Sequence, residues 1–271
     1  MTTILALGAE KQAATSLASA FPNHRTIFAS NFHILDGSDL ANVRMIRATP
    51  ADAMKLAASS DHVVPLCPRW LPDDHALSRV LDRLDRALPG LCLPVHTQLP
   101  SSGQWIVKGD RWHRPDAPLS GEPRELADVI DGHGCGLIFQ PYCEANATLM
   151  SIGRRVHEGA VLIGVVEVFE ERFFRDDILQ AGETMHSPEV IEASLTVLDV
   201  LDHRGFFTLN WLRTDGGLRL SSWRPVPRAV FRSFLQGGVD LLGPAQAVKV
   251  AGPGVRFIAA PTYMSYERFS A

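Results

Sequence analysis

The apolar residues change their spacing along the chain, and each change predicts a different kind of element. Near the start, Ile4, Leu5, Ala6 and Leu7 form a short continuous apolar run that turns at Gly8. The alanine-rich stretch from Glu10 to Ala20 has helix-forming composition. Val63, Val64, Pro65 and Leu66 make a second apolar run. Strand, helix and strand in that order predict a small parallel α/β unit. Behind Asp73 and Asp74, which suit a helix N-cap, Leu77, Val80, Leu81, Leu84 and Leu88 recur at helical spacing. Pro89-Gly90 ends that helix. Trp105 to Lys108 reads as a strand and Gly109 to Gly121 as a polar loop. Glu122 to Ile130 reads as a helix, with Pro123 in its first turn and Gly132 and Gly134 beyond its end.

From Leu137 the pattern turns to strands. Leu137 to Gln140 is one, and Ala147 to Val156 with Ala160 to Phe169 predicts a hairpin around His157-Glu158-Gly159. Phe173 to Ser187 is polar and is expected to be a long connection. Ser187-Pro188 opens a helix that runs to about Leu201, with Gly205 as its stop. Phe206 to Leu212 and Leu218 to Trp223 are joined by Thr214-Asp215-Gly216-Gly217, a strong hairpin turn. A short helix over Val230 to Leu235 and a strand over Val255 to Ala259 complete the pattern.

Composition narrows the classes. With 271 residues, 46% hydrophobic and 21% charged, the chain is long enough for a large core and too apolar for disorder. Its 26 basic and 30 acidic residues give a net charge of -4, without the basic surplus of a general nucleic-acid binder. No run approaches the ~18 apolar residues of a membrane span, and the start carries no basic leader, so a cytoplasmic protein is expected. The four cysteines, Cys67, Cys92, Cys135 and Cys143, form no CxxC pair and read as reduced thiols in or near the core. No GxGxxG follows Gly8, which removes the dinucleotide fingerprint. Glu183 and His186 lack a third metal ligand, and Ser221-Ser222 lacks the GxSxG context of a serine nucleophile. Arg154-Arg155 has the charge to grip an anionic substrate, although a solvated pair on a strand is the commoner outcome.

A nucleotide site without a P-loop needs lysine heads on strands for the phosphates and an extended apolar hinge for the base. Here a strand ends in Lys108. A polar loop and a helix follow. An apolar strand then runs into Gln140-Pro141-Tyr142-Cys143, and an antiparallel sheet ends in the hairpin from Gly205 to Arg224. In this order of segments, roughly residues 70 to 235 resemble the ATP-grasp superfamily. The resemblance implies an α/β and α+β chain: an ATP-grasp-like two-lobe fold behind a small N-terminal α/β (pre-ATP-grasp) domain. The units would be 1–72 (N-terminal domain), 73–139 (small lobe) and 140–271 (large lobe).

It also implies ATP and magnesium as cofactors. A carboxylate would become an acyl phosphate that an amine then displaces, in small-molecule or cofactor biosynthesis. By position, Lys108 would touch the α- and β-phosphates, and Gln140, Pro141, Tyr142 and Cys143 would read adenine. Asn210 and Ser222 stand where metal ligands are expected, and Arg213 or Arg224 would steady the acyl-phosphate charge. The hairpin departs from the family here. An acid is expected on its first strand, and Glu followed two residues on by Asn on its second; this chain has Asn210, Ser222 and Arg224. Either Glu167, Glu170, Asp176 or Asp177 supplies the metal, or the chain is a non-catalytic relative that binds an anionic metabolite or a partner subunit. A homo-oligomer with a structural role is a third expectation.

Overall fold

In the computed structural model the described residues are 3–7, 23, 25–30, 43–49, 52, 55–56, 60, 62–65, 76–110, 120–127, 136–156, 159–174, 177–203, 205–224 and 256–259. Strands β1 (Thr3–Leu7), β2 (Arg25–Ser30), β3 (Val43–Arg47) and β4 (His62–Pro65) form a parallel sheet in the order β3-β2-β1-β4. Leu5 of β1 pairs with Ile27 on one side and Val63 on the other. A strand flanked on both edges and covered on both faces needs apolar residues in succession, which is why Ile4 and Leu5 are both fully buried. The pattern did not foretell β2 and β3, where Arg25, Arg44 and Arg47 interrupt the apolar positions. The helix expected over residues 10–20 lies outside the described residues.

A second, antiparallel sheet holds β5 (Trp105–Gly109), β6 (Ser120–Gly121) and β7 (Leu137–Pro141) in the order β6-β5-β7. Val107 and Phe139 are direct partners and bury one face of this sheet on Leu126, from a helical stretch over residues 123–127.

The third sheet is the largest. It contains β8 (Ala147–Val156), β9 (Gly159–Phe174), β10 (Asp177–Met185), β11 (Gly205–Thr214), β12 (Gly217–Arg224) and β13 (Arg256–Ala259), in the order β12-β11-β8-β9-β10-β13. Its neighbouring strands are antiparallel. Helices α1 (Leu77–Ala87) and α2 (Pro188–Leu201) lie on one face. The helical stripe Leu77, Val80, Leu81 and Leu84 meets the alternate residues Phe207, Leu209 and Trp211 of β11 and Leu218 and Leu220 of β12 in one core. A buried polar link crosses this core. Trp211 Nε1–H donates to Ser151 Oγ at 3.0 Å, Ser151 and Ser194 share a hydrogen bond at 2.8 Å, and Ser194 donates to the Val190 carbonyl. The indole and both hydroxyls are thereby satisfied where water cannot reach them.

The segment after α1 stitches the two antiparallel sheets together. Leu220 N–H donates to Leu91 O at 2.8 Å and Leu93 N–H to Leu220 O at 2.9 Å, which adds residues 91–93 to the edge of β12. Three residues on, His96 exchanges both backbone hydrogen bonds with Phe139 of β7. One short strap therefore caps an edge of each sheet and fixes their separation.

Several expectations are corrected by packing. The polar stretch 173–187 is not a connection: β9 runs on to Phe174, and β10 pairs with both β9 and β13. Its ladder hydrogen bonds come from the backbone, so low apolar content hides it from a pattern search. Helix α1 packs on the large sheet, and β7 runs across residue 140. Helix α2 exits through Asp202, at φ 47°, and not through Gly205. Helix α1 has Ala76 at its N-cap and no side-chain cap of its own. Asp110 serves instead: its carbonyl accepts from Leu77 N–H at 2.9 Å, and its carboxylate from Ser78 N–H at 2.7 Å and Ser78 Oγ at 2.9 Å. Asp73, Asp74 and the helix expected over 230–235 lie outside the described residues. Among the described residues no helix is long and apolar enough to cross a membrane.

Asp110 thus acts as a cap from 32 residues away and pins the end of β5 to α1. Asp110→Ala is expected to lower unfolding free energy by about 1–2 kcal/mol in urea titration, with Asp110→Asn recovering most of it. An unchanged midpoint for the alanine variant would remove this cap from the account.

Candidate functional site

Strand alternation on β5 sends Val107 into the small-sheet core and leaves Lys108 on the opposite face. On β7 the same rule places Gln140 beside it, because Lys108 pairs with Ile138 and Ile106 with Gln140. Lys108 Nζ donates to Gln140 Oε1 at 2.5 Å and to the Ser221 carbonyl oxygen at 3.0 Å. An ammonium has no acceptor, so it fixes the amide with its oxygen toward Lys108. Gln140 is fully buried, and its Nε2 has no hydrogen-bond partner among the described residues.

The carbonyl that Lys108 reaches is available because β12 bulges there. Asn210 pairs with Ser222 and Trp211 with Leu220, so Ser221 is an extra residue with no opposite number. A bulged residue leaves the ladder, which frees its carbonyl for an outside donor. Ser221 Oγ also donates to the Asn210 carbonyl at 3.1 Å and holds the bulge shut. The small sheet and the hairpin therefore face each other, with the lysine between them.

On the face of the large sheet opposite α1 and α2, register aligns three rows. Thr208 pairs with Arg224 on β12 and with Ile152 on β8. Asn210 pairs with Ser222 and Met150, and one row away Arg154 lies opposite Phe206. Asn210, Ser222 and Arg224 thus share one face. Arg213 does not join them. It lies on the helix face, with Nη2 at 3.3 Å from Ser187 Oγ and 3.8 Å from Glu189 Oε2 at the start of α2. The expected role of Arg213 beside Arg224 is corrected accordingly.

The arginine pair on β8 also separates. Arg154 is 2% exposed, whereas Arg155 turns to α2, bonding the Leu198 carbonyl and pairing with Asp199 at 3.6 Å and Asp202 at 3.9 Å. Neither is the solvated residue expected from the sequence. Thr208 and Asp110 are the residues that sequence reasoning missed. Only Asp110 left a signal, as a capping-type residue directly after a strand.

Of the expected base-reading segment, Pro141 closes β7 opposite Trp105 and has no N–H. Tyr142 N–H is taken by the Gln104 carbonyl at 2.8 Å, and its ring is half exposed. The Cys143 N–H has no backbone partner among the described residues. Cys143 N–H and the free carbonyls are what this segment can offer a base.

Magnesium does not fit the hairpin. Asn210 and Ser222 are neutral, Arg224 is a cation, and magnesium is held by carboxylates with water and phosphate oxygens. Glu167 pairs with Leu149 and so lies on the helix face, away from Asn210. Among the described residues no three His, Cys, Asp or Glu side chains come together as a metal site.

No known protein family and no curated protein matches the sequence. The structure, however, is similar to solved enzymes. N5-carboxyaminoimidazole ribonucleotide synthetase from Thermotoga maritima matches with a TM-score of 0.59 at 10% identity, over 87% of this chain and 72% of that one. Carboxyaminoimidazole ribonucleotide synthase from Aspergillus clavatus, complexed with ATP, matches with a TM-score of 0.61 at 11% identity, over 93% and 80%. The L-amino acid ligase from Bacillus licheniformis matches with a TM-score of 0.60 at 10% identity, over 83% and 67%. The chain has the ATP-grasp fold, with helices and sheets in the mixed arrangement the sequence implied.

Two thiols differ in a way that reports on this region. Burial, with a lesser contribution from Asp85, pushes the Cys92 thiol up to about 12, so it is inert at neutral pH. Cys143 is half-buried at the base-reading segment. Alkylation by iodoacetamide, mapped by mass spectrometry, is expected to label Cys143 in the native protein and Cys92 only after unfolding. Equal labelling of both in the native state would contradict the packing of the strap.

Proposed function

We propose that the chain binds ATP between the small sheet and the β11–β12 hairpin, as a divergent ATP-dependent carboxylate–amine ligase acting on a small anionic substrate. The observation that carries this reading is the reach of Lys108 from one sheet to the Ser221 carbonyl of the other. A cation held at that point is placed to exchange a neutral carbonyl for phosphate oxygens, which bind an ammonium more strongly. The Cys143 N–H and the Pro141 carbonyl would take the base, with Gln140 and Tyr142 flanking it. The solved neighbours are synthetases and a ligase, some complexed with ADP or ATP, which supports this class. In such a reaction a substrate carboxylate attacks the terminal phosphoryl group, and an amine then displaces phosphate from the acyl phosphate. Arg224, fixed on the hairpin, would meet the charge that develops on the acyl phosphate.

A second reading is favoured by one observation. The cross-strand pair Asn210 and Ser222 offers no charge to a divalent ion, and phosphoryl transfer ordinarily needs that ion to offset developing charge. A relative that binds without catalysis fits those two residues better.

Calorimetric titration with ATP, with magnesium and with EDTA, tests both. Binding that magnesium strengthens and that leads to phosphate release with carboxylate and amine present supports the ligase. Binding that never leads to phosphate release, with magnesium or without it, supports the relative. In either case Lys108→Ala is expected to weaken ATP at least about tenfold, or ~1.4 kcal/mol. Unchanged affinity would take Lys108 out of the site, and no ATP binding under any condition would overturn the proposal.

A further inference from the structure

We infer that Arg154, Thr208 and Arg224 form a metal-free seat for a phosphoryl oxyanion on the face of the large sheet that carries Asn210 and Ser222. The inference rests on the reading that phosphates lie over the hairpin. It starts from a hydroxyl: Thr208 is 6% exposed, and its Oγ1 has no hydrogen-bond partner among the described residues. Its neighbours in the same row explain why. Ile152 on β8 can offer nothing, and Arg224 on β12 is itself a donor. A buried hydroxyl donor flanked by a guanidinium and an apolar side chain needs an acceptor from outside the sheet.

The charges on that face point to the same ligand class. On β8, β11 and β12, the side chains described there are Thr148, Met150, Ile152, Arg154, Thr208, Asn210, Leu212, Thr214, Arg219, Ser222 and Arg224. The paired positions of β9 and β10 add Gly164, Val166, Val168, Gly182 and Thr184. Among these described residues the charged groups are three arginines, Arg219 lying beyond the Asn210 row beside the turn, and none is acidic. Arg154 and Arg224 stand on the two strands that flank β11, about two strand spacings or ~10 Å apart, which two extended guanidinium side chains can close over Thr208. Met150, Ile152 and Val166 make a dry floor, where charge-assisted hydrogen bonds gain strength. Guanidinium forks match phosphate geometry and keep their charge at every physiological pH. The arginines thus supply fixed positive charge where Asn210 and Ser222 cannot hold a divalent cation.

The test is calorimetry in EDTA with inorganic pyrophosphate and with ATP, on the wild type, Thr208→Val and Arg224→Gln, with thermal melts of each ligand-free protein. Both ligands are expected to bind without metal. Thr208→Val keeps the side-chain shape and should weaken both about tenfold, while the ligand-free melting temperature stays level or rises, since a buried orphan hydroxyl has been removed. Arg224→Gln should weaken both by at least as much. Pyrophosphate binding by the two variants equal to wild type, or binding that appears only with magnesium, would overturn the seat. If ATP binds no tighter than pyrophosphate while both variants still weaken pyrophosphate, the nucleotide reading fails and the seat stands.

Discussion

A single backbone irregularity governs how the two antiparallel sheets meet. Because β12 carries one residue too many between Trp211 and Asn210, the Ser221 carbonyl turns out of its ladder and becomes an acceptor for Lys108. A regular hairpin would keep that carbonyl within the sheet, and the lysine would have no partner on the large sheet at this point. The strap at residues 91–96 and the Asp110 cap serve the same end. One sets the distance between the sheets at their edges. The other holds the end of β5 against α1, two residues beyond Lys108. Backbone groups make most of this framework, so it tolerates wide change in side chains, which accords with a shared fold at 10–15% identity.

The side chains on the hairpin face do not suit a divalent cation. A carboxylate pair would hold a divalent cation and let it carry the phosphate charge. Asn210 with Ser222 removes that option, and the row beside it brings arginine to the same face. Fixed guanidinium groups bind phosphates well and can meet developing charge, but they do not bridge the transferring group as a divalent ion does. A metal, by contrast, can shift with the transferring group. The arrangement therefore favours holding an anion over turning it over. This physical reason keeps a non-catalytic binder in contention beside the ligase.

Much of the fold was legible where one period dominates. The α1 stripe, the Asp-Gly-Gly turn and the apolar runs of β1, β4 and β7 each announce themselves by local chemistry. The strands β2, β3 and β10 did not, since their stability comes from backbone pairing with neighbours, on both sides for β2 and β10, rather than from their own composition. Caps were misread for a related reason: Asp110 reaches α1 only after the chain has folded, and no local pattern encodes a partner 32 residues away. At the candidate site, segment order alone singled out Lys108, Asn210, Ser222 and Arg224, and register sets the last three on one face. Arg213 could not, because strand parity decides which face it takes and the neighbouring bulge complicates the count. Thr208 was invisible, since a buried hydroxyl is notable only once its neighbours are known.

The central claim is that Lys108 and the hairpin enclose a nucleotide. Photolabelling with an azido-adenine analogue of ATP, followed by peptide mapping, tests it most directly. The account expects the label in the segment around residues 140–146 and loss of labelling when unmodified ATP competes. Label confined to the parallel sheet of β1–β4, with none near Cys143, would contradict it.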